Sequence, residues 1–228
     1  MTTTIKLLTW NILGLRERAK VAAVVREARA DVVCLQECPR WPGGRTALAL
    51  FARSTGLRLA AGGGRRGVAV LVAPHVQVEH GELAAMPRRR STFWWTYPRA
   101  TATAHLRVGG APVQVSSAHL DVWEPGRLEH ARKLVASVDR ATGPVVVAGD
   151  LNDAPSGAVW QVLTAALSDA GLGGAPTYPA TADRRPNKRL DAVLTSPGIE
   201  VVTYRTGADV SGLPSDHLPV LVTLSLPA

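Results

Sequence analysis

Apolar residues fall along this 228-residue chain in short blocks, and the period of each block predicts an element. Residues 4–10 (TIKLLTW) read as a strand, and 16–30 space Ala, Val and charged residues at helical intervals, ending before Asp31. A second strand follows at 32–36 (VVCLQ), then a helix over 45–55 closed by Gly56, then short strands at 57–60 and 67–73. Residues 99–108 (RATATAHLRV) and 112–118 (PVQVSSA) flank Gly109-Gly110, the turn chemistry of an antiparallel hairpin. A helix is expected over 124–141. Residues 144–150 (PVVVAGD) form a continuous apolar run that suits a strand buried on both faces.

The second half continues with a helix from Pro155 to Leu167, proline being favoured near a first turn. Residues 171–188 are rich in Gly and Pro and read as a long loop of the kind that often carries function. Strands at 189–195, 199–206 and 218–226 finish the chain. Helices alternate with strands, yet a hairpin also occurs, so a mixed α/β layered sandwich fits better than a purely parallel doubly wound sheet. The length suits one domain spanning 1–228, without repeats or low-complexity tracts.

Composition narrows the class. With 46% hydrophobic and 19% charged residues, the chain has the means to bury a large core and is not of the disordered type. No apolar run approaches the roughly 20 residues that span a bilayer, and the opening residues lack a basic start and a small-residue cleavage site, so they are expected to form a strand rather than a signal peptide. Cys34 and Cys38 are too few and too close for a disulfide framework, which makes a reducing, cytoplasmic setting the expectation. Their CxxxC spacing is weak support for a redox pair or a zinc site. The formal charge is +8, and only four of the 26 basic residues are Lys. Polyanion binding and plain genomic base usage explain that arginine excess equally well.

Polar residues recur where the predicted strands end: Asn11, Glu37, His119, and Asp150 with Asn152. Asp216 and His217 sit just before the last strand. Open α/β folds place their sites at such a rim. A carboxylate directly after a buried strand must be paired, solvated or metal-bound. Taken singly, Glu37 or Asp150 reads as an ordinary strand-end acid facing water. Grouped with Asn11, Asn152 and Asp216 they form an all-oxygen set that suits Mg²⁺ or Mn²⁺ rather than Zn²⁺. Asp191, in RLDAVL, is placed to accept from an imidazole and hold its orientation, as in a catalytic triad. His75, His80, His105 and His130 are expected at the surface or in packing roles.

The blocks TWNI (9–12), LQE (35–37), PRA (98–100), SAHL (117–120), GDLND (149–153), RLD (189–191) and SDHLPV (215–220) occur in order along nearly the whole chain. Together they resemble the endonuclease/exonuclease/phosphatase superfamily, which includes deoxyribonucleases, abasic-site endonucleases, sphingomyelinases and inositol polyphosphate phosphatases. The resemblance implies a four-layer αββα sandwich of two packed mixed sheets and a Mg²⁺-dependent phosphoesterase, with Mn²⁺ as a second possibility. By block it implies Glu37 as principal metal ligand with Asn11 and Asp216 completing that site. Asp150 would orient or deprotonate the attacking water, Asn152 would position phosphate and nucleophile, and His217, supported by Asp191, would donate to a phosphate oxygen. His119 and Arg99 would contact the phosphate.

Departures limit what is carried over. A chain of 228 residues leaves little room for DNA-penetrating loops, and Arg99 follows Tyr97-Pro98, so abasic-site specificity is not expected. Arg88-Arg89-Arg90 with Phe93, Trp94, Trp95 and Tyr97 interleaves cations with aromatics, which suits stacked bases on a strand backbone, though a packed aromatic strand with a solvated Arg turn is the preferred reading. Arg184, Arg185, Lys188 and Arg189 are candidates to approach an anionic substrate, Trp123 a candidate wall of the cleft, and Trp10 and Trp160 candidates for the core. The expected substrate is nucleic acid, with a small-molecule or lipid-headgroup phosphate ester as the alternative. A monomer without stable protein partner or membrane contact is expected.

Overall fold

The computed structural model describes residues 3–88, 97–207 and 214–227. In chain order, the first half contains β1 (Thr3–Asn11), α1 (Arg18–Ala28), β2 (Val32–Gln36), α2 (Gly44–Ser54), β3 (Arg58–Gly62), β4 (Val68–Val72), β5 (Gln77–Ala85) and β6 (Ala100–Val108). There follow β7 (Ala111–His119), α3 (Glu124–Val138), β8 (Val145–Asp150), α4 (Ala158–Thr164), β9 (Ser168–Asp169), β10 (Asp191–Thr195), β11 (Glu200–Thr206) and β12 (Val220–Leu226). The strands form two six-stranded mixed sheets, ordered β11-β12-β1-β2-β4-β3 and β5-β6-β7-β8-β10-β9. The neighbours β1 and β2 run parallel, as do β7 and β8. No helix among the described residues is long and apolar enough to cross a membrane.

Burial explains the layering. A single apolar cluster joins Leu7, Val33 and Val70 of the first sheet to Ala102, Val115 and Val146 of the second, and takes in Val21 of α1 and Phe51 of α2. A separate cluster packs Leu134 of α3 with Trp160 and Leu163 of α4 against Val147 and Leu194. The result is a sandwich of helices, sheet, sheet and helices. Strands β2, β4, β8 and β10 are buried at every position, which is why their sequences are apolar without alternation. Trp10 and Trp160 are both in the core, as expected.

Polar side chains also tie the two sheets together. Buried Gln36 donates through Nε2 to Thr9 Oγ1 at 3.2 Å and to Ser117 Oγ at 3.0 Å, and that hydroxyl donates to the Leu35 carbonyl. Removing one member would strand a buried polar group, at a cost of about 1–3 kcal/mol.

Most predicted elements agree with the structure within a few residues, and the exceptions have physical causes. The helix expected from Pro155 starts only at Ala158, because Asp153 Oδ2 takes the Val159 N–H at 3.0 Å and holds the preceding residues in a turn. The expected strand over 189–195 starts at Asp191, since Leu190 N donates to Thr177 Oγ1 instead of a ladder. The long loop 171–188 is not wholly irregular: a bridge between Tyr178 and Lys188 closes its second half. Strand β5 was not foreseen, because it is an edge strand exposed along most of its length and has no apolar face. The Gly109-Gly110 turn does close a hairpin, with positive φ at both residues.

Gly149 occupies a strand position where a side chain cannot enter. Its φ is +149°, and a Cβ there would overlap the backbone carbonyl of Ala118, its partner in β7. Gly149→Ala is therefore expected to destabilise the protein by about 3 kcal/mol or more, against about 1 kcal/mol for Gly110→Ala in the open turn. Chemical denaturation of both variants checks this; equal losses would contradict it.

Candidate active site

Strand direction brings distant residues to one rim. The parallel pairs β1/β2 and β7/β8 deliver their carboxyl ends there, carrying Asn11, Glu37, His119 and Asp150. The antiparallel neighbours deliver their starts to the same rim. Asp191 opens β10 directly opposite Asp150, Val220 of β12 lies opposite Thr9, and Arg99 immediately precedes β6. A cavity of about 310 Å³ opens there, lined by Asn11, Glu37, Arg99, His119, Asp150, Asn152, Asp216 and His217, with Val122, Tyr178, Lys188 and Leu190. Asp191 lies behind His217. All nine residues singled out from the sequence thus belong to one neighbourhood.

Asp150 is at its centre and is buried among donors. Its Oδ1 accepts from Asn152 N at 2.9 Å and its Oδ2 from Asn11 Nδ2 at 3.1 Å. The same Oδ2 is 3.3 Å from His119 Nε2 and 3.7 Å from His217 Nε2. Burial raises the Asp150 carboxyl to about 6, against the opposing pull of His217 and of its hydrogen bonds. Such a group ionises near neutrality and is suited to taking a proton from water.

His217 is positioned from three sides. Its Nδ1 is 2.9 Å from Asp191 Oδ2, the Tyr178 ring packs against it at 4.8 Å between centroids, and its carbonyl accepts from Trp10 Nε1 at 2.8 Å. Burial alone pushes the imidazole toward neutrality, but Asp191, with Asp150 and Asp216 beyond it, outweighs that and holds it up at about 10. His217 is therefore a charged donor whose Nε2 faces Asp150. His119 is the opposite case: burial, then the cations Arg99, His217 and Arg40, hold it well below the ordinary range, so it is neutral. Arg99 Nη1 lies 2.8 Å from its Nδ1 and 3.0 Å from its Nε2, and the Tyr97 hydroxyl 2.7 Å from Nδ1.

Two of these residues adopt left-handed backbone conformations that side chains rarely take: Glu37 at φ 50° and Asn152 at φ 51°. Such strain is tolerated where the surroundings over-determine it, and it turns both side chains off their strands at the rim. Glu37 is half-buried and lines the cavity; its carbonyl accepts from Gly14 N at 2.8 Å, but its carboxylate makes no hydrogen bond or ion pair among the described residues. A carboxylate left without a protein partner beside Asp216 and the Asn11 side chain fits a hard divalent cation. Asp150, Asp191 and His217 also place one donor atom each within 4.8 Å of one another. In that trio Nδ1 of the protonated His217 is already given to Asp191, which leaves the oxygen set around Glu37 as the better fit.

The structure also corrects several expectations. Arg189 does not approach the cavity: it is buried, donates to Asp169 and the Gly171 carbonyl, and lies 4.4 Å over the Trp160 ring. Of the four basic residues in that loop only Lys188 lines the cavity, and Val122 rather than Trp123 forms the wall beside His119. Tyr97 and Tyr178 were not singled out as site residues; only the Tyr97-Pro98-Arg99 adjacency signalled the first, and nothing in the sequence signalled the second. Cys34 and Cys38 are both buried, which pushes the thiols up and makes them unreactive. His75 pairs with Asp31 at 2.9 Å and His130 Nε2 donates to the Pro87 carbonyl, roles of surface and packing as expected.

With that geometry in hand, comparison with known proteins is informative. Residues 8–217 match the Endonuclease/Exonuclease/phosphatase family, and the chain belongs to it. Its members hydrolyse phosphoester bonds and are generally dependent on a divalent metal. Comparison with curated proteins gives no match. Among solved structures, an endonuclease/exonuclease/phosphatase from Bacteroides vulgatus is similar with a TM-score of 0.81 at 17% identity, over 98% of this chain and 99% of that one. The mannosyl-6-phosphatase of Bacteroides thetaiotaomicron VPI-5482 is similar with a TM-score of 0.75 at 17% identity, over 96% of this chain and 99% of that one. The human Nocturnin catalytic domain with bound sulfate anion is similar with a TM-score of 0.72 at 18% identity, over 98% and 94%. At these identities the likeness establishes the fold.

The electrostatics of His217 carry a direct test. Its value in the folded protein lies above the ordinary 6.5, so the stability it contributes is complete below about 6.5 and is lost as pH rises through about 10. In metal-free protein, the ring followed by NMR should titrate well above pH 7, and Asp191→Asn should lower the midpoint by more than about one unit. A midpoint at or below 7 before substitution would contradict the assignment.

Proposed function

We propose that this family member is a Mg²⁺-dependent phosphodiesterase that cleaves DNA or RNA, with Mn²⁺ able to replace Mg²⁺. The observation that carries the reading is the charge arrangement around the cavity. Arg99 is 7% exposed and makes no ion pair among the described residues, yet it faces the same space as the unpartnered Glu37 and the basic Asp150. A buried guanidinium without a counter-ion is costly unless an anion completes it, and a phosphate is the anion that also suits a neighbouring cation.

In this reading Glu37, Asn11 and Asp216 hold the ion, which supplies Lewis-acid polarisation of the phosphoryl oxygens. Asp150 takes the proton of the attacking water, and Asn152, fixed by its N–H to Asp150 and by Nδ2 to the Leu120 carbonyl at 3.1 Å, positions water and phosphate. His217, held charged by Asp191, donates to a phosphate oxygen as the bond to the leaving oxygen breaks. Arg99 and Lys188 neutralise charge on the remaining oxygens, and His119 closes the floor between Arg99 and Asp150.

Nucleic acid as substrate is supported by the formal charge of +8 and by Trp41, which is 55% exposed four residues beyond Glu37 and offers a stacking surface. The aromatic segment that favoured it in the sequence lies, over residues 89–96, outside the described residues. The second reading is a phosphatase or phosphodiesterase acting on a small phosphate ester or headgroup. A cavity of about 310 Å³, at the small end for ligand sites, favours it. The proposal places the enzyme in the cytoplasm as a monomer without stable protein or membrane partner; the two unpaired, buried cysteines support a reducing setting.

Purified protein should cut plasmid, single-stranded DNA or RNA in Mg²⁺ and not in EDTA. Turnover confined to small phosphate esters would select the second reading; equal turnover in EDTA would overturn both. Asp150→Asn and His217→Ala should each lower kcat by about 10³-fold or more with folding intact, while His75→Ala stays within about twofold. Glu37→Gln should raise the Mg²⁺ needed for half-maximal rate by about tenfold; an unchanged metal titration would remove Glu37 from the ligand set.

A further inference from the structure

Tyr97 has no part in the roles above, yet it is held from several sides beside His119 and Arg99. Two guanidiniums lie against its ring, Arg40 Cζ at 3.5 Å from the centroid and Arg99 Cζ at 4.2 Å. Cations on a ring fix its orientation, and the hydroxyl they aim reaches 2.7 Å from His119 Nδ1. The other nitrogen of that imidazole, Nε2, is 3.3 Å from Asp150 Oδ2.

A neutral imidazole carries one N–H and one lone pair. An ionised Asp150 oxygen only accepts, so the proton belongs on Nε2 and Nδ1 must accept. Arg99 Nη1 does not choose between the two nitrogens, lying at 2.8 and 3.0 Å from them. Tyr97 touches Nδ1 alone, and burial keeps its phenol protonated and able to donate. Asp150 favours that tautomer from the Nε2 side, and the tyrosine hydroxyl, donating to Nδ1, completes the lock from the other.

We infer that Tyr97 is a positioning residue whose hydroxyl locks His119 as the Nε2–H tautomer and so fixes Oδ2 of Asp150 toward the nucleophilic water. The part concerning water rests on the proposed phosphodiesterase reading; the part concerning the tautomer does not. Arg40 serves the same end one step further out, by holding the ring.

Tyr97→Phe keeps the ring between the guanidiniums and removes only the donor. It should lower kcat by about 10- to 100-fold, the range typical for loss of a partner one step behind the reacting groups, with KM and the Mg²⁺ titration within about twofold. Long-range ¹H–¹⁵N NMR of the ring should show His119 protonated at Nε2 in the unsubstituted protein and a mixture of tautomers in the variant. That spectrum needs no substrate, so it judges Tyr97 even if every phosphate ester tested proves inert, a result that would sink the proposed activity instead. A Nδ1–H tautomer in the unsubstituted protein overturns the inference whether or not the variant folds. So does an unchanged ¹⁵N pattern in Tyr97→Phe, or a kcat within twofold.

Discussion

A negative charge is buried where the two sheets meet, and everything around Asp150 is arranged to make that tolerable. Donors come to its two oxygens from both sheets: Asn11 from the end of β1, Asn152 from the turn after β8, His119 from the end of β7 and His217 from the segment before β12. A buried carboxylate lacking such donors would protonate or pull its strand ends toward water. Stabilising Asp150 and registering one sheet against the other are thus the same task. Further bonds secure the junction: Trp10 Nε1 to the His217 carbonyl, and Ser215 Oγ to the Asn11 carbonyl at 2.5 Å.

The same constraint separates the two imidazoles by charge. His217 has a carboxylate on each side and is held protonated, whereas His119 has Arg99 and Arg40 in its surroundings and is held neutral. One ring is left able to give a proton away and the other able only to orient. Glu37 and Asn152, bent into left-handed conformations at adjoining strand ends, complete the rim with side chains that strand geometry alone would not place there.

Much of this was legible in the sequence, for a definite reason. A strand buried on both faces must be apolar throughout, so PVVVAGD and VVCLQ announce both the strand and the point where its first charged residue emerges at the rim. What escaped was whatever depends on contacts across the fold. Strand β5 has no apolar face to report, being held by its ladder to β6. Arg189 sits in a basic stretch and reads as a substrate contact until Asp169 and Trp160 are seen to claim it. Tyr97 and Tyr178 act on His119 and His217 from residues far away in the chain, and no spacing rule connects them.

The central claim is that a divalent cation belongs with the oxygens of Glu37, Asn11 and Asp216, leaving Asp150, Asp191 and His217 free to handle protons. Anomalous diffraction from crystals soaked in Mn²⁺ tests it directly. The account predicts a peak bonded to the Glu37 carboxylate, with His217 Nδ1 still on Asp191. A peak enclosed by Asp150, Asp191 and His217, with Glu37 uninvolved, would contradict it.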